Sequence, residues 1–226
     1  MFRILLVIIP LFIASSSLAK GWEEISHEDG VRVWSKEAKN SEIMMFRGQK
    51  TMNLPLSKVA FVLLNDNIEQ KKRWIDRIEE FVIVERSETF GSAVTYSTYA
   101  LPFPLSDRDF VIKSTRILDE KNQKVTLSIK SVKHPKYKAD DSIGVRGQIL
   151  NSSFILEGIE GTKKTRVTVE IQADPGGLLP DWIINMVNRE WPYNTLMALE
   201  KETRRKDTRH HPLIVKEFAP FKSLGH

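Results

Sequence analysis

Residues 174–185 read Asp174-Pro175-Gly176-Gly177-Leu178-Leu179-Pro180-Asp181-Trp182-Ile183-Ile184-Asn185. The Pro-Gly-Gly turn ends the strand before it, and Pro180 suits the first turn of a helix, where the N–H that proline lacks needs no partner. Helical spacing of apolar residues then continues to about Arg205. At about 1.5 Å per residue, such a helix is roughly 39 Å long. It is therefore long enough to cross a whole small domain.

One broad face of this last helix is apolar on a helical wheel. That face carries Trp182, Ile183, Met186, Val187, Tyr193 and Met197. We expect the face to contact either the core or a bound ligand. Pro192 frees the carbonyl of Asn188 and is expected to kink the helix.

The chain before this helix is dominated by strand signals. Two strands are predicted first, at Val31–Trp34 and Ile43–Thr51. A helix from Pro55 to Trp74 follows, either continuous or broken near Asn65-Asp66-Asn67. Six β-rich runs follow, which are Phe81–Glu85, Ala93–Ala100, Phe110–Leu118, Val125–Val132, Val145–Leu156 and Thr165–Ile171. Short connections between sequential strands indicate an antiparallel meander. The sequence therefore predicts an α+β fold, in which a curved antiparallel sheet of about eight to nine strands wraps around the long C-terminal helix.

The composition excludes several classes of protein. With 41% hydrophobic and 28% charged residues among 226, the chain is typical of a globular domain with its own core. It has no cysteine, which excludes disulfides, thiolate metal sites and thiol catalysis. The net charge of +5 is too small to indicate nucleic-acid binding. None of the five histidines pairs with a carboxylate at metal-ligand spacing, so no metal and no cofactor are expected.

The two ends of the chain differ from its middle. Arg3 precedes an apolar stretch from Leu5 to Ile13, and small residues end at Ala19, which is the pattern of a cleaved secretory signal peptide. An uncleaved anchor is the rival interpretation, but the apolar stretch is shorter than a spanning helix requires. We expect an exported protein, located in the periplasm or, as the alternative, secreted, whose basic tail is mobile or loosely docked. The expected segments are a signal peptide over residues 1–19, a domain over residues 20–205 and a tail over residues 206–226.

Two further motifs complete a family pattern. Lys72-Arg73-Trp74-Ile75 follows the first helix, and Leu101-Pro102-Phe103-Pro104-Leu105-Ser106-Asp107-Arg108-Asp109-Phe110-Val111 joins two strands. Together with residues 174–185, and in this order and spacing, they resemble the StAR-related lipid transfer (START) domain. That family belongs to the helix-grip superfamily, which includes the birch pollen allergen and polyketide cyclases. The resemblance extends from about Trp22 to Arg205.

The resemblance implies a helix-grip fold with a tunnel between the sheet and the last helix, holding one lipid or other hydrophobic molecule without catalysis. It also implies that the loop before Asp107 and the last helix form a lid. Apolar loop residues are costly at a surface unless they pack or touch a membrane. Transient contact with a membrane surface is therefore expected of the lid residues Pro102, Phe103, Pro104, Leu105 and Trp182.

Strand alternation predicts which side chains face the cavity. The predicted strand residues are Thr95, Ser97, Tyr99, Ile112, Ser114 and Arg116, and the predicted helix residues are Ile183, Met186, Val187, Tyr193 and Met197. Sterol-binding animal members of the family carry an arginine six residues after the motif arginine, paired with an acid on the preceding strand. Those positions here hold Ser114 and Thr95, and a buried ion pair needs both partners. The sequence thus gives no support for sterol specificity.

Two charged features admit two interpretations each. The run Asp107-Arg108-Asp109 is either a pair of catalytic carboxylates around a cation or an ionic clasp that fixes the loop, and the clasp is favoured because such networks are often structural. A run of lysines is either a membrane-docking patch or a solvated edge that protects a hairpin, and the edge is favoured. These lysines are Lys121, Lys124, Lys130, Lys133, Lys136 and Lys138.

The sequence thus predicts an exported monomeric carrier of one hydrophobic molecule, with no nucleic-acid partner. The first alternative is a helix-grip enzyme of the cyclase or hydrolase type, working in the same cavity. Tyr99 and Arg116 are the titratable residues expected to face that cavity, and neither is an evident general base. The second alternative is a protein-binding envelope factor that uses the apolar lid as an interface.

Overall fold

The structure is a computed structural model that describes residues 21–39, 41–87, 91–101, 103–139 and 144–218. The predicted signal peptide and Pro102 of the predicted lid lie outside the described residues. None of the helices in the described ranges is both long enough and apolar enough to cross a bilayer.

A single sheet organises the domain. Its strands are β1 (Glu23–Glu28), β2 (Val31–Ala38), β3 (Ser41–Met52), β4 (Ile78–Arg86), β5 (Ser92–Tyr99), β6 (Arg108–Asp119), β7 (Lys124–Ser131), β8 (Val145–Arg146), β9 (Gln148–Gly158) and β10 (Thr165–Asp174). Their order in space is β1-β2-β3-β10-β9-β7-β6-β5-β4, and every neighbouring pair is antiparallel. The short β8 pairs in parallel with β6. The predicted α+β class with one large sheet is confirmed, with ten strands among the described residues instead of eight or nine.

The described residues form four helices: α1 (Leu56–Leu64), α2 (Ile68–Lys72), α3 (Asp181–Thr203) and α4 (Pro212–Glu217). The long α3 packs on β2, β3 and β10, while α1 contacts β9 and α2 contacts β4. The predicted helix from Pro55 to Trp74 is thus two helices, separated at Asn65-Asp66-Asn67. Asn67 is the N-cap of α2, and its side chain accepts a hydrogen bond from the backbone N–H of Gln70 at 3.0 Å.

The approach of α3 to the sheet depends on one glycine. A Cβ atom on Gly48 of β3 would lie 2.7 Å from the Cβ of Pro192 and 3.0 Å from a methyl carbon of Leu196. Carbon atoms do not pack this closely, so only glycine lets the helix rest on β3. Pro192 is buried in this contact, and α3 continues through it without interruption.

The apolar core occupies one end of the inner face of the sheet, where β3 ends and β10 begins. This closed end is covered by α1 and by the second half of α3. Its fully buried side chains include Val31, Met52, Leu56, Val59, Val125, Leu156, Val167, Leu196 and Leu199. The opposite, open end lies where β10 ends and α3 begins. The predicted strand residues extend along the inner face of β5 and β6 from Tyr99 near this open end to Arg116, which lies opposite the core residue Leu127.

The segment after α3 packs on α1. Ile214 and Phe218 are fully buried, the backbone N–H of His211 donates to the carbonyl of Ser57 at 2.8 Å, and His210 Nδ1 lies 2.6 Å from Ser57 Oγ. The prediction of a mobile or loosely docked tail is therefore wrong up to residue 218. The basic composition of the tail gave no sign of these two apolar residues. Ile214 in α4 and Phe218 directly after it are four positions apart, so they can pack on the same side.

Candidate ligand-binding site

The predicted strand residues of the site share the inner face of β5 and β6. Thr95 lies opposite Ile112, and Arg116 lies opposite Leu127 of β7, which belongs to the core. Because side chains alternate along a strand, this register places one set on the core side: Thr95, Ser97, Tyr99, Ile112, Ser114 and Arg116. That these side chains line a cavity and contact a ligand stays a prediction.

This part of the inner face is both buried and polar. Thr95, Ser97 and Ser114 are each less than one-tenth exposed. The hydroxyl of Ser114 donates to the carbonyl of Ala93 at 3.4 Å. Burial raises the pKa of Tyr99, and its hydrogen bond with Ser97 acts in the opposite direction. Buried hydroxyls require partners, so this surface suits the polar group of a ligand or ordered water.

A group of charged side chains adjoins these hydroxyls. Asp66, in the loop between α1 and α2, pairs with Arg86 of β4 and lies 3.9 Å from Arg116 of β6. Lys71 of α2 and His211 of the tail are also buried. Both lie close enough to Asp66 and Arg116 for the charges of these two residues to act on their pKa values. Burial lowers the pKa of Arg116 and of His211. Asp66 is partly exposed, and Arg86 lies at the exposed margin of the group. We name these five residues the buried charge cluster.

Sequence reasoning identified only Arg116 of the buried charge cluster. The others lie on a short helix, a loop, an edge strand and the tail, and no periodic pattern connects these elements. Lys71 belongs to a run of basic residues that resembles an ordinary solvated helix end. One usable signal was present, because Lys71 and Trp74 are three positions apart, and a side chain at that spacing shares the face of a buried tryptophan.

Arg108 joins the two lid segments at the open end of the sheet. Its Nε donates to the carbonyl of Pro175 at 2.7 Å, and its Nη atoms donate to the carbonyls of Ser106 and Gly176. The side chain is buried, and burial lowers its pKa. A buried guanidinium with three carbonyl partners fixes the entry to α3 against the start of β6.

The two aspartates beside Arg108 complete the clasp. Asp109 pairs with the guanidinium of Arg146 through contacts of 3.0 and 2.7 Å. Asp107 Oδ1 accepts the backbone N–H of Leu101 at 3.1 Å, which closes the loop on itself. Both carboxylates are thus engaged in holding loops together. The interpretation of this run as an ionic clasp is confirmed.

The clasp leaves apolar side chains exposed on both sides. Phe103 is 97% exposed in the loop before β6, and Trp182 is 68% exposed in the first turn of α3. Leu105 and Leu178 are exposed beside them, and Pro104 is also at the surface. We name residues 103–105, 178 and 182 the apolar lid. Exposed apolar groups that cluster in this way indicate an interaction surface.

Only part of the helix face predicted from the wheel packs on the core, where Tyr193 and Met197 are partly buried. Met186 and Val187 are half exposed. The hydroxyl of Tyr193 donates a hydrogen bond to the carboxylate of Asp29 at 2.5 Å. Ile183 and Met197 are partly buried, and Met197 Sδ lies 3.5 Å from Lys50 Nζ. The buried face carries Ile184, Asn188, Pro192, Leu196 and Leu199.

Polar residues explain this correction. Asn188 donates to the carbonyl of Ala173 at 2.8 Å. Asn185 accepts the N–H of Met44 at 2.9 Å and donates to the carbonyl of Glu42 at 3.0 Å. These amides satisfy backbone groups at the open end of the sheet. A helical wheel that scores only hydrophobicity assigns these asparagines to the solvent side. The predicted face of α3 is therefore rotated away from the face that is buried.

The lysine run is divided between two places. Lys121 and Lys124 lie at the turn between β6 and β7, whereas Lys133, Lys136 and Lys138 follow the far end of β7. Arg146 donates to the carbonyls of Tyr137 and Lys138, which holds this second group near the clasp. The eight residues of β7, which carry Lys130, separate the two groups by roughly 26 Å at about 3.3 Å per residue. The run is therefore not one continuous patch.

The START domain profile matches residues 15–194. The chain belongs to the START domain family. The Pseudomonas aeruginosa protein PA1579 is 26% identical over 194 residues, which cover 86% of this chain and 92% of that protein. Mouse phosphatidylcholine transfer protein is 28% identical over 137 residues, covering 60% of this chain and 62% of that protein. The crystal structure of human STARD10 shares the fold, with a TM-score of 0.74 at 22% identity over 91% of this chain and 81% of that chain.

The START match ends inside α3. The later residues nevertheless complete the domain, because Leu196 and Leu199 are buried in the core and His211 joins the buried charge cluster. Across the described ranges, no group of three or more histidine or acidic side chains is placed to hold a metal ion.

Proposed function

We propose that this START domain protein is exported, holds one lipid or other hydrophobic molecule between its sheet and α3, and transfers or presents that molecule as a monomer. One observation carries the proposal. The inner face of β5 and β6 places the buried hydroxyls of Thr95, Ser97 and Ser114 beside an aliphatic core. A surface with a polar part and an apolar part suits an amphipathic ligand.

The comparisons support a lipid as that ligand. Two relatives are named for lipids or for the lipid-transfer family, the phosphatidylcholine transfer protein and STARD10. Export is supported by the signal-peptide pattern of residues 1–19. These observations favour a carrier outside the cytoplasm over a protein-binding envelope factor.

Exchange would take place at the apolar lid. Phe103 and Trp182 lie on the two segments that Arg108 joins, and both are exposed. At a bilayer, their side chains would enter the interfacial region, and the separation of the two segments would open a path to the inner face of the sheet.

The buried charge cluster gives no support to the enzyme alternative. Asp66 is its carboxylate, and two guanidinium groups face that carboxylate. The carboxylate of Asp66 is thus held by ion pairs and is not directed at a bound substrate. Tyr99 keeps its proton at neutral pH, because burial raises its pKa. An enzyme would turn over a bound substrate and would lose that turnover when one polar lining residue is removed.

Native mass spectrometry of the mature protein, purified from its own envelope, tests the proposal. We expect a discrete adduct that denaturing analysis identifies as a phospholipid, a fatty acid or another hydrophobic molecule. An empty protein that also takes up nothing from lipid vesicles would overturn the carrier. The same preparation tests export, since the mature protein should begin at Lys20 and should be recovered from the periplasmic fraction.

A further inference from the structure

Lys71 is the least expected member of the buried charge cluster. Its residue is 7% exposed, and its ammonium lies 4.3 Å from the ring centroid of Phe81. Phe81 of β4 is opposite Ser97 of β5, and Ser97 is on the inner face. The ammonium is therefore buried over a ring on the inner face of the sheet, one strand away from Ser97.

The carboxylate of the cluster already has cationic partners other than Lys71. Asp66 pairs with Arg86 and faces Arg116 at 3.9 Å. Among the ion pairs of the described residues, none joins Lys71 to a carboxylate. An aromatic face attracts a cation, but it supplies no hydrogen-bond acceptor of the strength of a carboxylate.

The surroundings of Lys71 disfavour its charge. Burial lowers its pKa to about 8, Arg116 acts in the same direction, and Asp66 acts against both. The lysine is still mostly protonated at neutral pH, because about 8 is above 7. A buried ammonium that retains its proton at this cost gains most from an anionic partner.

We infer that Lys71, with Arg116 behind it and the hydroxyls of Ser97 and Thr95 beside it, binds the acidic group of the ligand. The inference deepens the proposed function, on which it rests, and it assigns the ligand to the acidic amphiphiles. Their acidic group is a carboxylate, as in a fatty acid, or a phosphate, as in an anionic phospholipid. A neutral lipid offers the ammonium no negative charge, and a trimethylammonium head group would meet an excess of cations.

The neighbouring Lys72 provides a matched control. It is 40% exposed and pairs with Glu79 at 3.7 Å on the outside of α2. Lys71→Met and Lys72→Met remove the same charge from adjacent positions, one inside the site and one outside. Lys71→Arg keeps the charge and provides the conservative variant.

Binding is measured by native mass spectrometry and by uptake from vesicles into the delipidated protein. The vesicles are phosphatidylcholine containing a few mole per cent of oleic acid, dioleoyl phosphatidic acid or dioleoylglycerol. We expect the unchanged protein and Lys72→Met to select an acidic probe over dioleoylglycerol. Lys71→Met should lose about tenfold or more of its affinity for that probe, the effect of one charge-assisted hydrogen bond, while binding dioleoylglycerol as before. Lys71→Arg should keep the selection.

The two acidic probes distinguish a carboxylate from a phosphate as the recognised group. Unchanged acidic selection in Lys71→Met, or equal binding of all probes by the unchanged protein, would overturn the inference while leaving the carrier intact. Absence of binding to every probe would overturn the carrier and the inference together. A thermal melt shows that Lys71→Met is folded, and its midpoint should be equal to or above that of the unchanged protein.

Discussion

The guanidinium of Arg108 donates through Nε to the carbonyl of Pro175 at 2.7 Å. This contact links residues that are 67 positions apart, at the start of β6 and at the entry to α3. Each of the two segments also carries exposed apolar side chains of the apolar lid. In the proposed exchange, separation of the two segments requires this part-buried, charge-assisted hydrogen bond to break.

Arg108→Met is expected to lower the free energy of unfolding by about 1 to 3 kcal/mol, since it leaves three partly buried carbonyls without their donor. It should also speed lipid exchange with vesicles, because the lid segments lose their connection. Denaturant titration and an uptake assay measure the two effects. Arg189→Met, at an exposed position of α3, is the control and should change neither. A loss of stability without faster exchange would show that the clasp does not govern opening.

Phe103→Asp is expected to slow lipid uptake from vesicles by about tenfold, because a charge replaces an aromatic side chain that would enter the bilayer interface. The side chain is 97% exposed, so the free energy of unfolding should change by no more than about 0.5 kcal/mol.

Ile117→Asp serves as the control for Phe103→Asp, since Ile117 is 56% exposed on β6 toward the closed end. It should leave uptake unchanged. Equal uptake by all three proteins would mean that the apolar lid does not contact the membrane during exchange.

Gly48→Ala tests the contact between α3 and the sheet. Its Cβ would press on the Cβ of Pro192 at 2.7 Å, and we expect a loss of about 1 to 3 kcal/mol in the free energy of unfolding. Gly21→Ala is the control, because a Cβ at that position meets nothing within 4 Å. If the two variants unfold at the same denaturant concentration, α3 is free to shift on β3.

The sheet and its inner face were predictable because strand alternation is a local property. Thr95, Ser97 and Ser114 follow the period of two, so their orientation can be read from the sequence once the strand is recognised. β1 was missed because Glu23, Glu24 and Glu28 are exposed at the edge of the sheet and provide no apolar alternation. The run from Val145 to Leu156 is divided at Gly147, where a Cβ would lie 2.4 Å from the ring of Phe110.

The site residues beyond the sheet could not be predicted, because their positions depend on packing between distant segments. The orientation of α3 is set by amide contacts from Asn185 and Asn188 to the backbone of other elements. The buried charge cluster combines Lys71, Arg86 and His211 from three separate parts of the chain. A sequence pattern records neither kind of contact, since each partner is ordinary in its own local context.

The stability of the delipidated protein should depend on pH through Lys71. Its folded-state pKa of about 8 lies below the ordinary value near 10.5, so between these values the unfolded chain binds more protons than the folded one. Stability from this group therefore rises with pH from 8 to 10.5, and the full cost of about 3 kcal/mol is present below pH 8. Lys71→Met removes that cost and should be more stable than the unchanged protein at pH 7, with the difference shrinking as the pH approaches 10.5. Parallel stability curves for the two proteins from pH 7 to 10.5, measured by denaturant titration with Lys72→Met as control, would show that the ammonium is solvated in the empty protein.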